Sequence, residues 1–389
     1  MNHIGVVSLV FDPQLNKLSK KKALRDGLSA VVQLGDTLWV ANDEAITLER
    51  FSRQGVDDAG NYTYGAHQQF TLHEYLTLPA PPSPTSSEFE EADLEGLAYA
   101  DGYLWLVGSH SRKRKDIKKK NGVPENFARL ATVTNDGNRF LLARIPVIAK
   151  DGSYCLAKAV EADGQVRTAA QLPCTITSSA LTAALTTDEH LKDFLPIPGK
   201  DNGFDIEGLA VVGDRVFLGL RGPVLRGWAV IVELAVMVNP TNPAELQLQP
   251  INPNNPHNPT QPTYRKHFLD LDGLGVRDLC VDGADLLILA GPTLVLDGAV
   301  TLFRWPGATQ VAGERLVARN ELVNVMDIPH NKGEDYAEGI TRFAIDDGAT
   351  DALLVVYDAV SKQRLVGESA VQVDLFVLSS IAEIVDFQE

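Results

Sequence analysis

The chain has 389 residues, 44% of them hydrophobic and 22% charged, with 35 Lys+Arg against 51 Asp+Glu, a net charge of −16 and a pI near 4.9. Such a balance argues against general nucleic-acid binding and against anionic membranes, and it fits a soluble protein that collects cations. Three cysteines (Cys155, Cys174, Cys280), an odd number without metal-like spacing, read as reduced and structural. With no secretory leader and no apolar run long enough for a bilayer, a cytoplasmic location is expected.

In chain order, Ile4-Gly5-Val6-Val7-Ser8-Leu9-Val10-Phe11 is a lone apolar strand without a hairpin partner, followed by a basic segment from Lys17 to Arg25. Residues 27–80 then give the first copy of a recurring unit: Leu28-Ser29-Ala30-Val31-Val32, a Gly35-Asp36 turn, and Leu38-Trp39-Val40-Ala41-Asn42-Asp43. Gly and Asp tolerate positive φ, so the turn closes a tight hairpin. A polar linker at 80–85 leads to the second unit, 88–147. It opens with Asp93-Leu94-Glu95-Gly96-Leu97-Ala98 and runs to Leu104-Trp105-Leu106-Val107-Gly108-Ser109-His110. Two outer strands are expected there, Leu130–Thr134 and Arg139–Ala143. Between the inner and outer strands lies a dense basic run, Arg112 to Lys120, on an otherwise acidic chain.

Residues 150–200 break the rhythm. Ser178 to Phe194 has helical character and is expected to lie over one face. The hairpin-like pieces at 153–172 leave a reduced sixth repeat open. The third unit, 201–250, carries Asp205-Ile206-Glu207-Gly208-Leu209-Ala210 and Leu220-Arg221-Gly222-Pro223. A Pro/Asn-rich loop at 250–263 precedes the fourth, 265–325, with Val276-Arg277-Asp278-Leu279-Cys280. Its outer strands are expected at Thr301–Trp305 and Leu316–Arg319. The fifth, 330–380, carries Tyr336-Ala337-Glu338-Gly339-Ile340 and ends its inner hairpin at Tyr357-Asp358.

A hairpin repeat of this kind cannot bury its faces alone, whereas several copies around an axis can. The expected fold is therefore an all-β, single-domain β-propeller over residues 1–389, with five clear four-stranded blades and a sixth as the alternative. The last unit has only three strands. The N-terminal strand is expected to supply its fourth and to close the ring.

In a propeller the first strand of each blade lines the axis, so Glu95, Glu207 and Glu338 should converge, with Asp93, Asp205 and Asp335 close behind. Unpartnered carboxylates raise one another's pKa, and the two physical remedies are a cation or arginines. Glu95, Glu207, Glu338 and Asp205 are the candidate ligands for a hard cation, Ca²⁺ or Mg²⁺. Arg277 stands where a fourth Glu would be, and Arg221, Arg226 and Arg342 are near in the repeat frame. The polar ends of the second strands should ring the same mouth, adding Asp43, Ser109, His110, Arg112, Arg221 and Asp358. Together with Arg226, Arg277 and Asp278, they form a candidate surface for a small anionic, phosphorylated ligand. As an enzyme, this would be a metal-dependent hydrolase of phosphoesterase or lactonase type, with His110, Arg221 and Glu207 as its working residues. The competing expectation is a scaffold that binds a protein partner, its Glu–Arg pairs purely structural. No Walker loop, dinucleotide fingerprint, nucleophile elbow or His/Cys metal spacing is present.

Leu94-Glu95-Gly96-Leu97, Gly108-Ser109-His110-Ser111 with its basic tail, Asp205–Leu209, Leu220-Arg221-Gly222-Pro223-Val224-Leu225-Arg226-Gly227-Trp228 and Val276–Leu279 together resemble the bacterial family catalogued as domain of unknown function 3616. The Arg-Gly-Pro segment is the most specific part. The resemblance implies a propeller-like protein and no assigned reaction. More loosely, the Glu-Gly corners are similar to those of phytase-like esterase and gluconolactonase-type propellers. In gluconolactonases a Glu before Gly binds a divalent metal, and that analogy reaches only Glu95, Glu207 and Glu338.

Overall fold

The computed structural model describes residues 3–18, 22–80, 82, 89–150, 152–162, 164–251, 262–294, 297–345 and 351–378. The 80–85 linker and the 250–263 loop fall largely outside these.

Five first strands, Ala30–Leu34, Leu94–Ala100, Asp205–Val212, Gly275–Asp282 and Tyr336–Ala344, pack side by side around an axis, and the fifth returns to touch the first. Each pairs antiparallel with a second strand: Thr37–Ala41, Tyr103–Gly108, Arg215–Leu225, Asp285–Gly291 and Asp351–Asp358. The second strands are almost wholly buried because neighbouring blades cover both of their faces. Their unbroken Leu/Val/Trp runs follow from that position. The core is accordingly a series of apolar clusters, most of which join strands of adjacent blades.

The ring closes as expected, with one addition. His3–Val10 lies antiparallel to Ala370–Val377 as the fourth strand of the fifth blade. The same strand also runs parallel to the outer strand of the first blade, matching Val7 with Tyr62 and Leu9 with Tyr64. Val7 and Leu9 are fully buried between the two blades. Two more parallel stitches join outer edges: Gln171 with Glu245, and Arg315–Val317 with His267–Leu269.

Several outer strands differ from expectation. In the second blade Val123–Leu130 is an α-helix, and Val133–Thr134 pairs only with Lys113–Arg114. Gly137–Phe140 is a 3₁₀ turn, and the third strand is Leu142–Lys150. The strands at 153–156 and 170–171 extend that same sheet, so this segment builds the outer edge of the second blade, with a separate two-stranded hairpin at 159–168. Tyr264–Asp270, expected in the fourth blade, pairs along Trp228–Leu234 of the third. The outermost strand of the fourth blade is Val323–Ile328, since Arg315–Val317 is taken up by its stitch. The helical insertion is present as Ala180–Leu185, with Ser179 and Thr182 capping each other reciprocally. Leu181, Leu185 and Leu191 are buried with Trp105, Phe204 and Ile206, wedging it between the second and third blades.

Removing residues 1–11 strips one strand from the fifth blade and the only described link between the outer edges of the first and fifth. The shortened chain is expected to lose a single cooperative urea transition, and Leu9→Ala in the full chain to cost about 2–5 kcal/mol. A truncated protein as stable as the parent would overturn the closing role of this strand.

Candidate functional site

The Glu-Gly corners are β-bulges. Pairing skips one residue between Leu94 and Gly96, between Ile206 and Gly208, between Val276 and Asp278, and between Ala337 and Gly339. The extra residues are Glu95, Glu207, Arg277 and Glu338. A bulge re-aims a side chain at the rim of a sheet, and here it brings all four residues to the axis. The following glycine has a separate cause. A Cβ on Gly96 would stand 2.6 Å from the Leu209 Cβ, on Gly208 2.9 Å from the Leu279 Cγ, and on Gly339 2.9 Å from the Ala30 Cα. Glutamate thus faces the axis, and glycine lets the next blade approach.

Asp278 occupies the glycine position of the fourth blade. Its carboxylate accepts the backbone N–H of Leu279 at 2.7 Å and of Ile340 at 2.8 Å, so it ties neighbouring first strands together. It is buried and lies off the cleft.

The axial charges divide into two unequal halves. In one, Arg221 bridges Asp205 and Glu207, at 2.6 Å from the Glu207 Oε1. Arg277 bridges the Glu207 Oε2 at 2.8 Å and the Glu338 Oε1 at 3.1 Å. The result is a continuous Asp–Arg–Glu–Arg–Glu chain. In the other half, Asp43, Asp93 and Glu95 each bring a carboxylate oxygen within 4.8 Å of the others. Asp93 is held by Arg139 at 2.5 Å. Asp43 and Glu95 have no hydrogen-bond or ion-pair partner among the described residues.

The electrostatics follow this division. Burial, then Asp93, Glu207, Asp43 and Glu338, push the Glu95 carboxyl well above its usual range. Burial and then Asp93 and Asp358 raise Asp43 to about 7. Glu338 is also raised well above normal by burial and Asp358, against the pull of Arg277. Burial outweighs Arg221 at Asp205 and lifts it to about 6.

These groups line one cleft of about 1260 Å³, counting its open mouth. Asp43, Glu95, Asp205, Glu207, Arg221 and Asp358 share it with the basic rim of Arg112–Lys115 and with Lys200. Arg277 lines an adjoining recess with Tyr336 and Glu338. On the rim, Lys113 pairs with Glu91 at 2.9 Å and Arg114 with Asp201 at 2.7 Å. Arg112 and Lys200 have no ion pair among the described residues.

Besides Asp278, three sequence candidates lie elsewhere. His110 is buried in the left-handed region (φ 54°), and its Nδ1–H donates to the Gly108 carbonyl at 3.0 Å. It borders a side pocket with Phe140, Thr182 and Leu195, off the axial cleft, and burial lowers its pKa to about 4. Ser109 is buried beneath the cleft, bonded to Ser111 at 2.9 Å. Arg226 is exposed at the Leu225–Trp228 turn. Asp335 is a buried anchor for the Ser361 N–H and Arg364, and Arg342 reaches out to Asp282 and Asp351. Arg139, Glu91 and Lys200 belong to the site without having been singled out from sequence. They enter from turns far along the chain from their partners, and no spacing signals them.

A closed ring of first strands whose bulged residues meet in an axial cleft defines a β-propeller. The chain belongs to the family described as protein of unknown function (DUF3616), whose profile matches residues 27–374. Among solved structures it is similar to a glutaminyl cyclase of Myxococcus xanthus (9% identity, 97% of this chain and 100% of the other, TM-score 0.37). It is also similar to hydrazine synthase of Kuenenia stuttgartiensis (10%, 94% and 66%, 0.33) and to a xylan β-1,4-xylosidase of Bacillus halodurans (11%, 91% and 53%, 0.35). No curated protein compared with the chain matches it. No helix among the described residues is long and apolar enough to cross a membrane.

The raised carboxyls set a pH dependence. A carboxyl with a higher pKa in the folded than in the unfolded chain binds its proton more tightly when folded. It favours folding at low pH, and that contribution is lost as pH rises through the folded value. For Asp43 the window runs from about 4 to about 7. In EDTA the melting temperature is therefore expected to fall across that window, and Asp43→Asn to flatten the fall. An unchanged slope in the variant would mean that Asp43 is not the strained group.

Proposed function

We propose that this protein binds a divalent cation on Asp43, Asp93 and Glu95, and that the cation and the basic rim together take a small anionic, phosphorylated ligand in the axial cleft. The observation that carries this is the unequal compensation of the ring. In the Glu207–Glu338 half every bridged carboxylate is ion-paired with Arg221 or Arg277, while Asp43 and Glu95 converge in the cleft with no ion-pair partner among the described residues. Converging carboxylate oxygens suit a hard cation, Ca²⁺ or Mg²⁺. Arg112 and Lys200, both without ion pairs among the described residues, line the same cleft and would supply positive charge to a phosphoryl group bound there.

In a hydrolytic form, the cation would polarise a phosphoryl or lactone oxygen and lower the pKa of a bound water. Glu338, whose carboxyl burial and then Asp358 push well above its usual range, would be the proton donor within the cleft. His110 takes no part in this reading, because it lies off the cleft. The pairing of Arg221 and Arg277 with Asp205 and Glu207 favours a structural role for those four residues.

The two halves can be told apart by substitution. Glu95→Gln is expected to fold as well as the parent and to lose the rise in melting temperature produced by Ca²⁺, Mg²⁺ or Mn²⁺ after EDTA treatment. Ligand bound only by the folded state must raise that temperature by mass action. Glu207→Ala leaves two buried arginines underpaired and is expected to cost about 3–5 kcal/mol. No response to any of the three cations in the parent protein would sink the metal reading, and a rise with phosphate alone would leave the rim as the binding element.

A further inference from the structure

The excursion that carries the basic rim also carries an unusual helix. Val123–Leu130 has no buried residue, and its apolar positions Val123, Phe127 and Leu130 fall at i, i+4 and i+7, on one face. That face points outward, with Val123 69%, Phe127 71% and Leu130 48% exposed. The contacts holding the helix to the protein are polar. Asn126 Oδ1 accepts the Lys118 N–H at 2.9 Å, Asn126 Nδ2 donates to the carbonyls of Lys118 and Asn121, and Arg129 donates to the Asp116 carbonyl. The arrangement is the reverse of an ordinary surface helix, which turns its apolar face to the core. Ile117, between the two residues whose backbone bonds the helix, is also 59% exposed. Beside it, Lys115, Lys118, Lys119 and Lys120 are exposed, with no ion pair among the described residues.

We infer that this excursion docks the protein on an anionic phospholipid bilayer. The occupant must be apolar where it meets Phe127 and negative where it meets the lysines, and a bilayer interface offers both within a few ångströms. A second copy of the chain meets only half the requirement. Its acidic surface suits the lysines, but the other exposed apolar residues (Val56, Val166, Met237, Leu316 and Val366 among them) are far apart in the chain and on different strands. Pairing the same patch with itself would set two lysine runs against each other. Three to four apolar side chains are also too few for a standard protein–protein interface.

The overall charge of −16 led to the expectation of no membrane partner. It does not decide the matter, because charges beyond about 8 Å are screened at physiological salt while the lysines flank the stripe itself. Leu130 also lines the axial cleft, so docking sets the cleft mouth at the lipid interface.

The test is co-sedimentation of the full chain with vesicles of phosphatidylcholine alone and of phosphatidylcholine with about one-third phosphatidylglycerol. Binding to the anionic vesicles is expected to exceed that to the neutral ones at least ten-fold, and to weaken as salt rises. Phe127→Asp should reduce it about ten-fold or more, and each of Lys118→Glu, Lys119→Glu and Lys120→Glu about five-fold or more. The melting temperature should stay unchanged, because none of these side chains is buried. Val166→Asp, an equally exposed apolar site away from the excursion, should have no effect. Equal sedimentation with both vesicle types, none with either, or full retention in Phe127→Asp would overturn the inference. So would a dimer in light scattering that Phe127→Asp dissolves, which would give the surface to a second copy.

Discussion

Five strands meeting edge-on at one axis bring every bulged residue into the same small volume, and the rest of the molecule has to accommodate the charge gathered there. Three of the four bulge residues are glutamates, and Asp43, Asp93, Asp205 and Asp358 add to them from the strand ends. Arginine answers part of this. Arg277 takes a glutamate's place in the repeat and reaches two neighbours, while Arg221 closes the pair behind it. Removing charge from water is expensive, and a buried carboxylate persists only where something compensates it. The side holding Asp43 and Glu95 lacks that compensation among the described residues, and it is the side on which we propose the cation binds.

The remainder of the structure protects this arrangement from the outside. The outer edges of the blades are joined by parallel stitches at Val7–Leu9, Gln171 and Arg315–Val317. Exposed strand edges invite unwanted pairing, and stitching them removes the hazard while bracing one blade against the next. Buried polar clusters reinforce the blades from within. His67 meets Glu49 at 2.6 Å in the first, and His267 meets Glu233 at 2.9 Å in the third, where Arg215 and Arg265 also converge. Rigidity of this kind suits a cleft that holds like charges close.

The inner half of the ring was legible from sequence because two constraints act on adjacent residues. The axis demands a polar bulge residue, the next blade demands a small one, and Glu-Gly records both. The second strands were equally plain, since burial on both faces leaves only apolar choices. The outer strands were not, because their partners vary from blade to blade. Leu130–Thr134 looked extended, yet Val123, Phe127 and Leu130 already show helical spacing behind Gly122 and Pro124, and that signal was available. Leu142–Lys150 contains Pro146, which disguises a strand. His110 looked central by its place in the repeat, but a left-handed turn rotates it off the axis, and no spacing rule reveals a single φ angle. Arg139 meets Asp93 only through the folded turn at 137–140.

The double pairing of His3–Val10 bears on how the molecule is made. This segment leaves the ribosome before any of its neighbours, yet its antiparallel partner, Ala370–Val377, is among the last described residues to be synthesised. Its other partner, Tyr62–Tyr64, is available early, but parallel pairing on that side leaves the opposite edge open. Until Ala370–Val377 is synthesised the nascent chain therefore carries an apolar strand with one unsatisfied edge. Long-range closure of this sort is slow and exposes sticky surface meanwhile. The yield of correctly closed rings should depend on what shelters that edge until the final blade arrives.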